Sequence, residues 1–138
     1  MELPLTCLLI DNDEEDQEIF GMALKEADAS IQCVFANGCH SALQKLKEDP
    51  SFIPSLIFID MNMPLMNGTQ CLQEIKRLDH LKESRIFIYS TDTDPAAIAE
   101  IKELGAHDFI VKPPSFSGLV EVLSQLLQTQ INHLPHGL

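Results

Sequence analysis

The sequence predicts a doubly wound α/β fold, a five-stranded parallel sheet with helices on both faces. Two observations carry this. Five short runs rich in β-branched and aromatic residues alternate with five longer segments whose apolar residues recur every three or four positions. The first, third and fourth short runs are almost continuously apolar, as strands covered on both faces should be.

The first strand is expected at Thr6–Ile10, where "TCLLI" leads into the acidic run Asp11, Asn12, Asp13, Glu14, Glu15 and Asp16. A helix follows, with Ile19, Phe20, Ala23, Leu24 and Ala27 on one stripe. The second strand, Ile31–Ala36, precedes a shorter stripe of Ala42, Leu43 and Leu46. The third strand, Leu56–Asp60, precedes Leu72, Ile75 and Leu78. Arg85–Ser90 is the fourth strand, followed by Ala97, Ile98, Ile101 and Leu104, with Gly105 at the place of a left-handed C-cap. Asp108–Val111 is the fifth strand. After the Pro113–Pro114 stop, Ser115 opens a helix carrying Leu119, Val122, Leu123, Leu126 and Leu127. These stripes read as core faces rather than cofactor sites. Right-handed crossovers between successive strands make the sheet parallel. Residues 1–130 form one domain, and Ile131–Leu138 reads as a frayed tail whose His133 and His136 are solvated.

Composition narrows the function. A chain of 138 residues can bury a core without staples, and 45% hydrophobic with 22% charged residues is ordinary for a globular protein. Nine basic residues against 21 acidic ones give a net charge of −12 with no basic cluster, which argues against nucleic acid. Such a chain suits a metal cation or a protein with a basic face. Cys7, Cys33, Cys39 and Cys71 lack CxxC spacing and are expected to be reduced thiols, not disulfides or a zinc site. The start "MELPLTCLLI" has no basic residue, and its apolar run is too short for a signal or membrane span, so a cytoplasmic protein is expected.

In open α/β sheets, ligands bind outside the carboxyl ends of the strands. Asp11 and Asn12 stand at the first such end, Asp60 at the third, Ser90 and Thr91 at the fourth, and Lys112 and Pro113 at the fifth. Each has an ordinary reading when taken alone. Asp11 could cap a helix, Asp60 close a turn, Ser90 open a loop, and Lys112 sit on the surface. If the strand order is 2-1-3-4-5, however, these ends converge on one patch. Clustered carboxylates favour a divalent cation, one carboxylate can attack phosphorus, and lysine and hydroxyl can bind phosphoryl oxygens.

These residues resemble the receiver domain of two-component response regulators. The likeness runs from about Thr6 to Gln128 and rests on "LLIDND", "LIFIDMNMPLMNG", "IFIYST" and "GAHDFIVKPPS", in that order. It implies a flavodoxin-like (βα)5 fold with strand order 2-1-3-4-5. It also implies that Asp60 takes a phosphoryl group from a histidine kinase or a histidine phosphotransfer protein. Asp11 and Asn12 would help hold Mg2+, together with Asp60 and the backbone carbonyl of Asn62. Ser90 would bind the phosphoryl group, Lys112 would take the family's lysine position, and Phe109 would be the switch aromatic. The Lys112–Pro113 bond would be cis.

Asn12 departs from the family's second acid and removes a negative charge, which predicts weaker Mg2+ binding unless Asp13 compensates. Asp13, Glu14, Glu15 and Asp16 read as the solvated, dipole-favoured first turn of the helix. With no room for an output domain, a stand-alone receiver acting on an unnamed downstream protein, as monomer or weak dimer, is expected.

Three rivals remain. One is a phosphate-independent pseudo-receiver, supported by Asn12. Another resembles haloacid dehalogenase phosphatases, with Asp11 as nucleophile and Asp13 as general acid, but it leaves Asp60 without a job. A flavin carrier is weakest, because the acids would repel its phosphate.

Overall fold

The computed structural model describes residues 5–61, 67–91 and 94–133. Its elements alternate as β1 (Thr6–Ile10), α1 (Glu14–Ala27), β2 (Gln32–Ala36), α2 (Cys39–Glu48), β3 (Leu56–Asp60), α3 (Gly68–Lys76), β4 (Arg85–Ser90), α4 (Pro95–Glu103), β5 (Asp108–Val111) and α5 (Phe116–His133). A short 3-10 turn, Asp79–Leu81, links α3 to β4. All neighbouring strands pair parallel, in the order β2-β1-β3-β4-β5. This is the expected doubly wound topology. The register pairs Ile10 with Ile59, Asp60 with Tyr89 and Ser90 with Val111, so the carboxyl ends of four strands finish close to level.

Period-two alternation divides the strands between two cores. Leu8, Ile10, Ile57, Ile59, Ile86 and Ile88 pack against Leu46, Leu72, Ile75 and Ile101, from α2, α3 and α4. On the other face Leu9, Phe58, Phe87 and Tyr89 meet Phe20 and Leu24 of α1 and Leu119, Leu123 and Leu127 of α5. Phe20 meets Phe58 edge-on at 5.0 Å, and Phe58 stacks on Phe87 at 5.2 Å. Each such side chain removed from water contributes roughly 1.5–3 kcal/mol, which explains why β3 is buried along its whole length.

Helix starts are fixed by side chains. Asp13 caps α1, Asn67 and Gln70 form a capping box on α3, and Asp94 caps α4 ahead of Pro95. Ser115 Oγ accepts the Gly118 N–H at 3.0 Å at the start of α5. Gly105 adopts φ +106 after α4, as its position in the sequence predicts.

Several expectations need correction. β2 begins at Gln32 rather than Ile31, whose N–H turns back to the Asp28 carbonyl. Leu78 lies beyond α3, with its N–H bonded to the Ile75 carbonyl. Ile101 alone is fully buried among the residues of α4, because this helix lies shallowly on the sheet. α5 continues through Ile131–His133, since no breaker occurs before Pro135.

The Lys112–Pro113 bond is not cis; no described peptide bond is. Trans is the lower-energy isomer. The cysteines also differ from expectation. Cys39 and Cys71 form a disulfide, with Cα atoms 5.7 Å apart. They sit near the starts of α2 and α3, neighbours on one face of the sheet, an adjacency that a separation of 32 residues conceals. Cys7 and Cys33 remain free. Among the described residues no helix is long and apolar enough to cross a membrane.

The disulfide predicts a reductant-sensitive stability. Reduction should lower the free energy of unfolding by about 3 kcal/mol, the usual range for a loop of this size. Urea denaturation with and without dithiothreitol measures this. Cys39→Ser/Cys71→Ser should match the reduced protein and lose the response to reductant.

Candidate functional site

β1 ends by delivering Asp11 to the sheet edge, fully buried, with its N–H bonded to the Ala36 carbonyl at 3.0 Å. Asp11 Oδ1 accepts the Asp13 N–H at 2.9 Å. Its Oδ2 is buried and has no hydrogen-bond partner among the described residues. Burial above all pushes the carboxyl up to about 6; the nearby Asp60 and Asp16 charges act in the same direction, while the Asp13 N–H and Lys112 oppose it.

β3 delivers Asp60, which is 5% exposed. Lys112, just past β5, places Nζ 3.2 Å from Asp60 Oδ1 and 4.9 Å from the centre of the Tyr89 ring. Burial, followed by the Asp16, Asp11 and Asp60 charges, raises the Tyr89 phenol. Ser90 ends β4 and is fully buried. Phe109, paired with Ile88, is partly buried against the core on the α2–α4 face. Asp11, Asp60, Ser90 and Lys112 thus reach one edge, as the strand order requires. Asn12 borders them but is exposed. Asn62 lies outside the described residues.

The acidic run is divided differently from the sequence reading. Asp13 faces solvent, and its Oδ1 accepts the N–H groups of Glu15 at 2.9 Å and Asp16 at 3.2 Å. Glu14 and Glu15 are exposed. Asp16 is not merely solvated, because its Oδ2 stands 3.8 Å from Lys112 Nζ.

Two further residues shape the site. Gln17, on α1, is buried and donates from Nε2 to the Asp11 carbonyl and to Asn37 Oδ1, each at 2.7 Å. It ties β1 to the loop before α2. The available signal was a polar side chain on the apolar stripe of Phe20 and Leu24. Gly68 opens α3 against the backbone that carries Asp60. A Cβ there would lie 2.9 Å from Met61 Cα and 3.1 Å from the Asp60 carbonyl oxygen.

The donor set fits a divalent cation. A buried carboxylate oxygen without a partner lies within electrostatic reach of a second carboxylate, and hard oxygens are what Mg2+ takes. Among the described residues no three acidic, His or Cys side chains close on a single point. Carbonyl oxygens and water would complete such a shell. A groove of about 650 Å3 between α1 and β2, lined by Met22, Lys25, Cys33 and Phe35, contains none of the strand-end residues.

A sheet edge carrying an aspartate paired with a lysine, a buried hydroxyl and a second acid is the arrangement that the likeness to response regulator receivers implies. Comparison with known proteins agrees. The sequence profile of the response regulator receiver domain matches residues 7–124, and the chain belongs to that family. It is 34% identical over 116 residues to the chemotaxis protein CheY of Thermotoga maritima, covering 81% of this chain and 92% of that one. Among solved structures, the phosphorylated cyanobacterial phytochrome response regulator RcpA superposes with a TM-score of 0.84 at 20% identity, covering 96% of this chain and 97% of that one. The Mn2+-bound form of response regulator Rcp1 gives 0.81 at 20%, covering 96% and 98%.

Two predictions follow from this geometry. Gly68→Ala should cost about 1–3 kcal/mol of stability, because the new methyl meets backbone rather than a movable side chain; chemical denaturation measures it. Asp11 binds its proton more tightly folded, at about 6, than at the ordinary 3.8. Stability in the absence of metal should therefore fall as pH rises from about 4 to about 6, by on the order of 2 kcal/mol from this group. Asp11→Asn should lose that part of the pH dependence.

Proposed function

We propose that this receiver accepts a phosphoryl group from phosphohistidine onto Asp60 and uses it to change its contacts with a downstream protein. The observation that carries this is the Lys112–Asp60 contact at 3.2 Å, beside the unpartnered Asp11 oxygen. An Asp60 oxygen attacks phosphorus as the phosphorus–nitrogen bond breaks. The imidazole leaves, and an acyl phosphate forms. Lys112 and Ser90 bind the phosphoryl oxygens as charge develops on them.

Asp11 and Asp60, with Asn12 at the rim and the Asn62 carbonyl, would hold Mg2+, which when bound offsets the carboxylate charge and shields the incoming phosphoryl group. The donor would be a histidine kinase or a histidine phosphotransfer protein in the cytoplasm. Ser90 drawn toward the phosphoryl group, with Phe109 following, would shift the population between two conformers. The chain works as a signalling phosphoacceptor that assists its own phosphorylation and dephosphorylation rather than as an enzyme on an outside substrate.

Exposed Asn12 favours one second reading, a pseudo-receiver that binds partners without phosphate. A dehalogenase-like phosphatase is disfavoured, because Asp13 is engaged in capping α1 rather than poised as a general acid.

Intact mass after incubation with acetyl phosphate tests the proposal. One Mg2+-dependent phosphoryl adduct is expected on the wild type and none on Asp60→Asn. Lys112→Ala should slow adduct formation at least about tenfold, as loss of a charge-stabilising donor does elsewhere. No adduct on a folded wild-type chain would refute phosphoacceptance and leave the pseudo-receiver.

A further inference from the structure

We infer that Asp16 supplies the negative charge missing at Asn12, as a third acid beside Asp11 and Asp60 at the cation site and as the outer anchor of Lys112. This rests on the reading of Asp60 as phosphoacceptor and adds a residue to its machinery. Asp16 lies in the first turn of α1, four residues beyond Asn12 and on the same side of the helix start as Lys112. Asp13 is the weaker candidate: it is exposed, and its Oδ1 is held at the helix start by the amides of Glu15 and Asp16. Asp16 is instead only half-exposed, and Lys112 Nζ stands 3.8 Å from Asp16 Oδ2 and 3.2 Å from Asp60 Oδ1.

The charges support this. Asp11, Asp60 and Asp16 against Lys112 leave two negative charges, the complement of a divalent cation. Without Asp16 a single negative charge would face it. The buried Asp11 oxygen without a partner points independently to a ligand at the same place. Asp16 also contributes to the upward shifts of Asp11 and Tyr89, so its field reaches the centre of the site. Since no three such side chains converge on one point among the described residues, Asp16 acts through water and through Lys112. A mere preference of acids for a helix start would apply equally to Glu14 and Glu15, which are exposed and have no contact with Lys112 among the described ion pairs.

Mn2+ titration followed by electron paramagnetic resonance of the free ion tests this on the full chain at low salt. Asp16→Asn should weaken binding roughly fivefold, as expected for one carboxylate acting through water. Asp16→Glu should bind like the wild type, and Asn12→Asp added to Asp16→Asn should restore affinity. Glu15→Gln, which removes the same charge from the same turn, should stay within about twofold. Asp16→Asn binding like the wild type, or Glu15→Gln losing as much, overturns the inference. Phosphoryl transfer is scored separately by mass. A wild type that binds Mn2+ in the expected pattern but takes no phosphoryl group would remove the function and leave Asp16 in its place. One that takes phosphate with Mn2+ binding indifferent to Asp16 would do the reverse.

Discussion

The ion pair between Lys112 and Asp60 is the constraint on which the edge of this sheet depends. A carboxylate at 5% exposure is costly unless something offsets its charge. The lysine that does so arrives from the far end of the sheet, two strands away, only because β3, β4 and β5 lie side by side and finish together. Topology, register and electrostatics are therefore one requirement here. A single-residue slip of β5 would turn Lys112 away from Asp60 and exchange Phe109 with Ile110 between the two faces. The apolar packing on both sides holds that register.

The second acid shows the same dependence from the other direction. Asp11 lacks a partner for one of its oxygens, and its carboxyl is pushed up to about 6. A carboxyl held in this way costs stability when it is charged, a pattern associated with function more often than with packing. Stability given up at this edge is recovered from the aromatic cluster below it, where Phe20, Phe58 and Phe87 are in contact.

Much of this was legible in the sequence, because the relevant signals are local. Four of five strands are found at their expected bounds, since a continuous apolar run bounded by turn residues leaves little freedom. Asp11, Asp60, Ser90 and Lys112 were legible once strand ends were treated as the places for chemistry. What escaped is long-range or depends on side-chain direction. The Cys39–Cys71 bond requires knowing that α2 and α3 are neighbours. Gln17 resembles an error in an apolar stripe until Asn37 is seen beside it. Asp16 is indistinguishable from Glu14 and Glu15 in a string of letters, and only the position of Lys112 separates them. The trans Lys112–Pro113 bond came out against an expectation that rested on family likeness alone.

The covalent link between α2 and α3 gives the molecule an uneven stiffness. One end of the α2–α4 layer is stapled near the starts of two helices. At the other end α4 is held by a single fully buried residue, Ile101. A charge added at Asp60, as the proposed function requires, would push equally on its surroundings, and the layer would yield where its anchoring is least. On the proposed function the tether would act as a rectifier, turning an undirected local disturbance into movement on the β4–β5 side, where Ser90 and Phe109 stand.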